Sequence, residues 1–145
     1  MAIPAFQTTL SAAARQKRGL ARRQLTLVLQ PKLLQLRRLV IAESSRFPEL
    51  GRRFYEQGPG RTMAALAAAF ERLAARGLLA VDDANLAASQ FNWLVMSAPL
   101  NQAMLLGRDD AASKREIERH ADDGVRTFLA AYGTRQGRAA KAATR

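Results

Sequence analysis

Apolar positions along the chain recur at three- and four-residue intervals, the period of an α-helix. No stretch of useful length alternates apolar and polar residues as a half-buried strand would. Leu25, Leu29, Leu33, Leu36, Val40 and Phe47 form one stripe, interrupted by Glu43 and Ser44. Met63, Leu66, Ala67, Phe70, Leu73 and Ala74 form a second, and Leu86, Phe91, Leu94, Val95 and Ala98 a third. Ile117, Ala121, Gly124, Phe128 and Tyr132 form the last, with small residues at its centre that let another helix approach closely. Valine, isoleucine and threonine are sparse beside alanine, leucine, arginine and glutamate. The predicted fold class is all-α.

Proline, glycine and capping residues divide these stripes into helices. A first helix is expected over Leu20 to Leu29, and Pro31 suits the first turn of a second, where its missing N–H costs nothing. Pro48 disfavours helical geometry at Phe47 and permits a short new helix from about Glu49 to Gln57. Gly58-Pro59-Gly60 turns the chain, and Gly77 is placed as a C-cap. After Val81, Asp82 or Asp83 can cap a helix that runs toward Leu105. Pro99 removes the bond to the Val95 carbonyl, so a kink or break is expected there, either a local one or a joint that opens a pocket beside it. A loop from Gly107 to Asp110 leads to a last helix, where Ser113 and Glu116 have capping-box spacing. The breaks at Pro48 and at Gly58 to Gly60 let the segment from Arg37 onward step aside and partly enclose a cavity, which one straight helix would not do.

At 145 residues the chain fits one domain. It has no cysteine and only one histidine, His120, which excludes disulfides, thiolate chemistry and multi-histidine metal sites. The adjacent pairs Asp82-Asp83, Asp109-Asp110 and Asp122-Asp123 point apart on a helix or lie in caps, so none makes a convergent acid–base dyad. Glu116 lies four residues before His120 and could orient its imidazole, but no nucleophile stands nearby and there is neither a P-loop nor a G-x-S-x-G. The expectation is a soluble, cytoplasmic protein that is not an enzyme, with no catalytic residues, metal, cofactor or membrane span.

The net charge of +11 is carried by the ends. Met1 to Ala42 holds eight basic residues and no acid, Gly133 to Arg145 four and none, and the body between them eleven against twelve. Residues 1–19 are therefore expected as a basic, flexible segment, 20–133 as the helical domain and 134–145 as a disordered basic tail, since no large apolar residue follows Tyr132. One function class this admits is a small basic helical protein that holds nucleic acid non-specifically through its ends.

The wording and order of three segments admit another. "RLVIAESSRFPELGRRFYEQGPGR" from Arg38, then "ALAAAFERLAARGLL", then "VDDANLAASQFNWLV" resemble the C-terminal domain of TetR-family transcriptional regulators, nearest the AcrR and AefR-like branch. The resemblance covers Leu25 to Tyr132 and is most specific over Arg38 to Gly60. It implies a helical domain that binds a small hydrophobic effector and forms a homodimer through a four-helix bundle of its last two long helices, here about Asp83 to Leu106 and Ser113 to Tyr132. By position the implied ligand-binding residues are Phe54, Tyr55, Met63, Phe70, Asn92, Trp93 and Met96, with Gln90 and Asn101 as further polar partners; each aromatic could equally be ordinary core. Asn92 and Asn101, amides within an apolar helix, need hydrogen-bond partners if buried. The implied dimer contacts are Leu94, Val95, Ala121, Gly124 and Phe128. The family reads DNA through an N-terminal helix-turn-helix domain, and nothing in Met1 to Gln24 resembles one. The expectation is a ligand-sensing and dimerisation domain of a repressor whose DNA reader is absent, as a fragment or as a stand-alone relative.

Overall fold

A computed structural model of the chain describes the backbone of residues 3–107 and 112–134, with side-chain environments from residue 15 onward. Six helices follow in order: α1 (Ile3–Val28), α2 (Pro31–Glu43), α3 (Pro48–Gln57), α4 (Pro59–Ala75), α5 (Ala84–Leu106) and α6 (Lys114–Tyr132). The only strand-like pairing among the described residues is a single bridge between Leu79 and Gly133. The all-α prediction is therefore met. The helix expected from Leu20 begins at Ile3 instead. The loop residues 108–111 and the tail from residue 135, expected to be disordered, lie outside the described residues.

Local chemistry fixes most of the helix ends. Asp83 caps α5, accepting from the N–H groups of Asn85 at 2.9 Å and Leu86 at 3.0 Å. Ser113 and Glu116 form the capping box of α6. Prolines stand at the first position of α2, α3 and α4, and Phe47 is held out of helical geometry ahead of Pro48 (φ −128°, ψ 78°). At the end of α4, Gly77 takes φ 69°. Its N–H donates to Ala74 O at 2.9 Å while Leu78 N–H reaches back to Leu73 O at 3.0 Å. This is the Schellman arrangement, and the left-handed residue it needs is why glycine stands there.

Helices α4, α5 and α6 build the core. Phe70, Phe91 and Phe128, one from each, meet with ring centroids 4.9–5.5 Å apart, and Tyr132 stacks on Phe128 at 4.7 Å. Aromatic contacts of this geometry add to the apolar area they bury. Around them lie Leu66, Ala67, Ala87, Ala88, Val95, Leu100, Ala121 and Val125, while Ala21, Leu25 and Leu34 bring α1 and α2 to the same cluster. The first stripe is only partly inward. Leu25 and Val40 are buried, Leu34 takes the core position in α2, and Leu36 and Phe47 are exposed, because the bend at Gln30 and Pro31 rotates α2 out of register with α1. Helix α5 continues through Pro99 without a break; only the intrahelical bond to Val95 O is lost there.

Two further features set how α6 lies. A Cβ at Gly124 would stand 2.8 Å from the carbonyl oxygen of Leu94 and 3.0 Å from its carbon, so α6 meets the α5 backbone itself. Arg22 clasps Asp122 in two bonds, Nε to Oδ1 at 2.8 Å and Nη2 to Oδ2 at 2.5 Å, with Glu118 at 3.8 Å. The pair is half-exposed, so it positions α1 on α6 more than it stabilises the fold.

Lys17 lies on the core-facing stripe of α1 with Ala21 and Leu25, four and eight residues on. It is only 9% exposed, and burial lowers its pKa from 10.5 to about 8. Between those values the unfolded chain holds a proton that the folded chain has released, so folding stability rises with pH across that window and the cost of the buried charge is fully present below it.

Three outcomes are expected in denaturant unfolding. Phe128→Ala should lower the unfolding free energy by about 3–5 kcal/mol. Gly124→Ala should lower it by about 1–3 kcal/mol although alanine is the better helix former, because backbone must move to admit the methyl group. Lys17→Met should be more stable than the parent at neutral pH by up to roughly 3 kcal/mol, with the advantage fading toward pH 10.5. A difference between parent and variant that stays constant with pH would place the ammonium in water.

Candidate functional site

A cavity of about 440 Å³ lies where three elements converge: the start of α2, the last third of α5 and the first turns of α6. Its volume falls in the range of small-molecule sites. Leu29, at the end of α1, with Pro31 and Leu34 forms one wall, Ala98, Pro99, Ala103 and Leu106 a second, and Ala112 and Ile117 a third. Five polar side chains also line it: Gln35 and Arg38 from α2, Gln102 from α5, and Glu116 and His120 from α6. Pro99 lies in the wall of this cavity.

Helix ends set the polar groups. The last four carbonyls of α5 have no intrahelical donor, and Arg38 Nη2 donates to one of them, Ala103 O, at 2.5 Å. A cation at a helix C-terminus also meets the negative end of its dipole. At the other rim, Glu116 Oε2 accepts from Ser113 N at 2.8 Å and Ser113 Oγ at 2.7 Å, so the capping box holds this carboxylate at the positive end of α6. His120 follows one turn later, its Nε2 buried with no hydrogen-bond partner among the described residues.

None of the seven ligand-binding residues expected from the sequence lines this cavity. Phe70 is committed to the aromatic cluster and Met63 packs at its edge. Tyr55 and Trp93 are 58% and 55% exposed. Phe54 lies beneath the guanidinium of Arg37, whose centre is 5.4 Å from the ring centroid; burial lowers the pKa of Arg37, and its Nε has no partner among the described residues.

Asn92 and Met96 share a separate polar spot inside the core. Asn92, 4% exposed, accepts from Gln24 Nε2 at 2.6 Å, and the same amide lies 3.7 Å from Met96 Sδ. The partner that a buried Asn92 requires is thus a side chain of α1, while Gln24 Oε1 is left buried without one. Asn101 is exposed, and so is Gln90, which accepts from the Tyr132 hydroxyl.

The dimer contacts expected from the sequence are corrected in part. Val95, Ala121, Gly124 and Phe128 are buried within the single chain and Leu94 is half-buried. Their small and apolar character serves the α5–α6 contact of one protomer, and a fully buried residue has no surface to offer a second copy. The outward stripe of α5 is instead Leu86, Gln90, Trp93, Ser97 and Asn101.

The residues missed by sequence reasoning are Gln35, Arg38 and Gln102. Each is a long polar residue on a helix, indistinguishable in sequence from a solvated one. His120 and Pro99 did stand out, by rarity and by helix position, but nothing local shows that α2 would face them. Among the described residues no three histidine, aspartate or glutamate side chains gather as a metal site, and no helix is long and apolar enough to cross a membrane.

Residues 16–134 match the family model described as AefR-like transcriptional repressor, C-terminal domain. No curated protein matches the chain. Among solved structures, a TetR-family transcriptional regulator from Mesorhizobium loti is 41% identical, with a TM-score of 0.80 over 90% of this chain and 65% of its own. A TetR transcriptional regulator from Agrobacterium tumefaciens is 25% identical, with a TM-score of 0.79 over 92% of this chain and 64% of its own. The flavonoid-responsive regulator FrrA is 33% identical, with a TM-score of 0.74 over 90% of this chain and 71% of its own. This chain therefore spans somewhat less than two thirds of the length of the first two. With a family match that takes in all of α2 to α6 and three regulators sharing the helical arrangement, the chain belongs to the family of AefR-like C-terminal domains of TetR transcriptional regulators.

Proposed function

We propose that this chain is the ligand-sensing and dimerisation part of a TetR-like repressor, and that its effector binds in the cavity between α2, α5 and α6. The observation that carries the reading is the cavity itself: some 440 Å³, apolar walls and five convergent polar side chains, in a domain of a regulator family. FrrA is by its name flavonoid-responsive, and a planar aromatic molecule of that size class suits walls built from Leu34, Pro99 and Ile117.

The response runs through α1. Leu29 at its end forms part of the cavity wall, Arg22 ties it to α6, and Gln24 ties it to Asn92 of α5. An effector that separates α2 from the α5–α6 pair therefore bears on α1 through Leu29, against the two bonds that tie α1 to α5 and α6, and a bound state differing in the angle of α1 would shift the DNA-binding part of the regulator. The homodimer forms through the outward faces of α5 and α6, with Trp93 and Leu86 as apolar anchors.

Two experiments test the two halves. Ala98→Trp, which fills the cavity from an exposed position, should abolish heat of binding for aromatic ligands in calorimetry while leaving the fold intact by circular dichroism; ligand binding that survives this change places the effector elsewhere. In sedimentation, the parent should run as a dimer and Trp93→Glu should raise the dissociation constant roughly thirtyfold or more, about 2 kcal/mol. A parent that sediments as a monomer at all concentrations rules the interface out.

A further inference from the structure

We propose that the cavity takes a small apolar-bodied carboxylic acid in its carboxylate form, with the head group held between Arg38 and His120 and the body against Leu34, Pro99 and Ile117. This inference rests on the reading of the cavity as the effector site and adds the chemical class of the ligand.

The charges of the lining select it. Three ionisable groups face the cavity, Arg38, Glu116 and His120. Glu116 already receives two hydrogen bonds from Ser113, and its charge sits at the positive pole of α6. Arg38 differs, since no carboxylate among the described residues pairs with it. Its bond to Ala103 O uses one of five donors on a neutral acceptor. A guanidinium keeps its charge at any accessible pH and offers a planar fork whose shape matches a carboxylate. The same bond to Ala103 fixes the guanidinium at the wall before any ligand arrives, so little ordering remains to be done on binding.

His120 adds a second donor from a different helix. Its buried Nε2 has no partner among the described residues, and in the tautomer that carries the proton there it donates to an oxygen. Two donors from α2 and α6 call for two acceptor oxygens on one head group. A cationic ligand would meet the charge of Arg38. A purely apolar ligand would take water from Arg38 and replace it with nothing. The carbonyl end of α5 opposes an anion, but Arg38 already occupies one of its carbonyls.

The test is calorimetry of the full chain with three ligands that share one body: 1-naphthoate, 1-naphthalenemethanol and 1-naphthylmethylammonium. The naphthoate should bind at least about tenfold more tightly than the alcohol, and the ammonium more weakly than either. Arg38→Gln should remove the advantage of naphthoate over the alcohol, and Arg38→Lys should restore part of it. His120→Phe serves as a second variant that leaves the Ala103 bond in place, and it should cut the naphthoate advantage severalfold. If the alcohol matches the naphthoate in the parent, or neither head-group variant changes their ratio, while Ala98→Trp still blocks both, the cavity is the effector site but the carboxylate assignment is overturned. If none of the three binds, or Ala98→Trp blocks none of them, the effector-site reading fails and this inference with it.

Discussion

The close approach of α6 to the backbone of α5 is the constraint on which the rest of the domain depends. At Gly124 the two helices are so near that a methyl group would strike the Leu94 carbonyl. With the backbones at that distance, Phe91 and Phe128 meet at 5.2 Å and Phe70 of α4 closes the cluster. Small residues at the crossing, Ala121 and Gly124, and large ones beyond it, Phe128 and Tyr132, divide the labour along one face of α6. A bulkier crossing would part the rings and lose both the apolar burial and the edge-to-face contacts.

That tight crossing has a loose counterpart. Small residues, Ala98 and Ala103 of α5 and Ala112 ahead of α6, line this end of the pair, and α2 lies across the gap without filling it. The cavity is what remains between a rigid α5–α6 pair and a helix bent away at Pro31. Its polar lining follows from the same geometry, because the space opens where one helix ends and another begins. The exposed carbonyls of α5 attract Arg38, and the exposed N–H groups of α6 are met by Ser113 and Glu116. A site that joins apolar walls to helix termini combines shape with fixed partial charges, and neither needs to form when a ligand enters.

Buried polar groups mark the joints between this scaffold and α1. Gln24 reaches Asn92 inside the core, Arg22 holds Asp122 at its edge, and Lys17 is buried with its pKa pulled down. A purely apolar helix face would pack against α5 and α6 in several rotations. Hydrogen bonds at fixed points restrict the choice, at the cost of a buried charge at Lys17 and an unmatched oxygen on Gln24.

The sequence by itself determined the helices and most of their ends. Pro48, Gly77, Asp83 and the Ser113 to Glu116 box act through bonds spanning a few residues, so their effect is legible wherever they stand. The order of its phrases also carried the family. Tertiary structure alone decided what each helical face would touch. Gly124 and Ala121 look alike whether they receive a helix of the same chain or of another, and the structure gives them to α5. Arg38 lies far in sequence from Glu116 and His120, and no local rule predicts that α2 would cross the end of α5 and bring it to one cavity with them. Local energies are written residue by residue; the meeting of three helices depends on the packing of all the others.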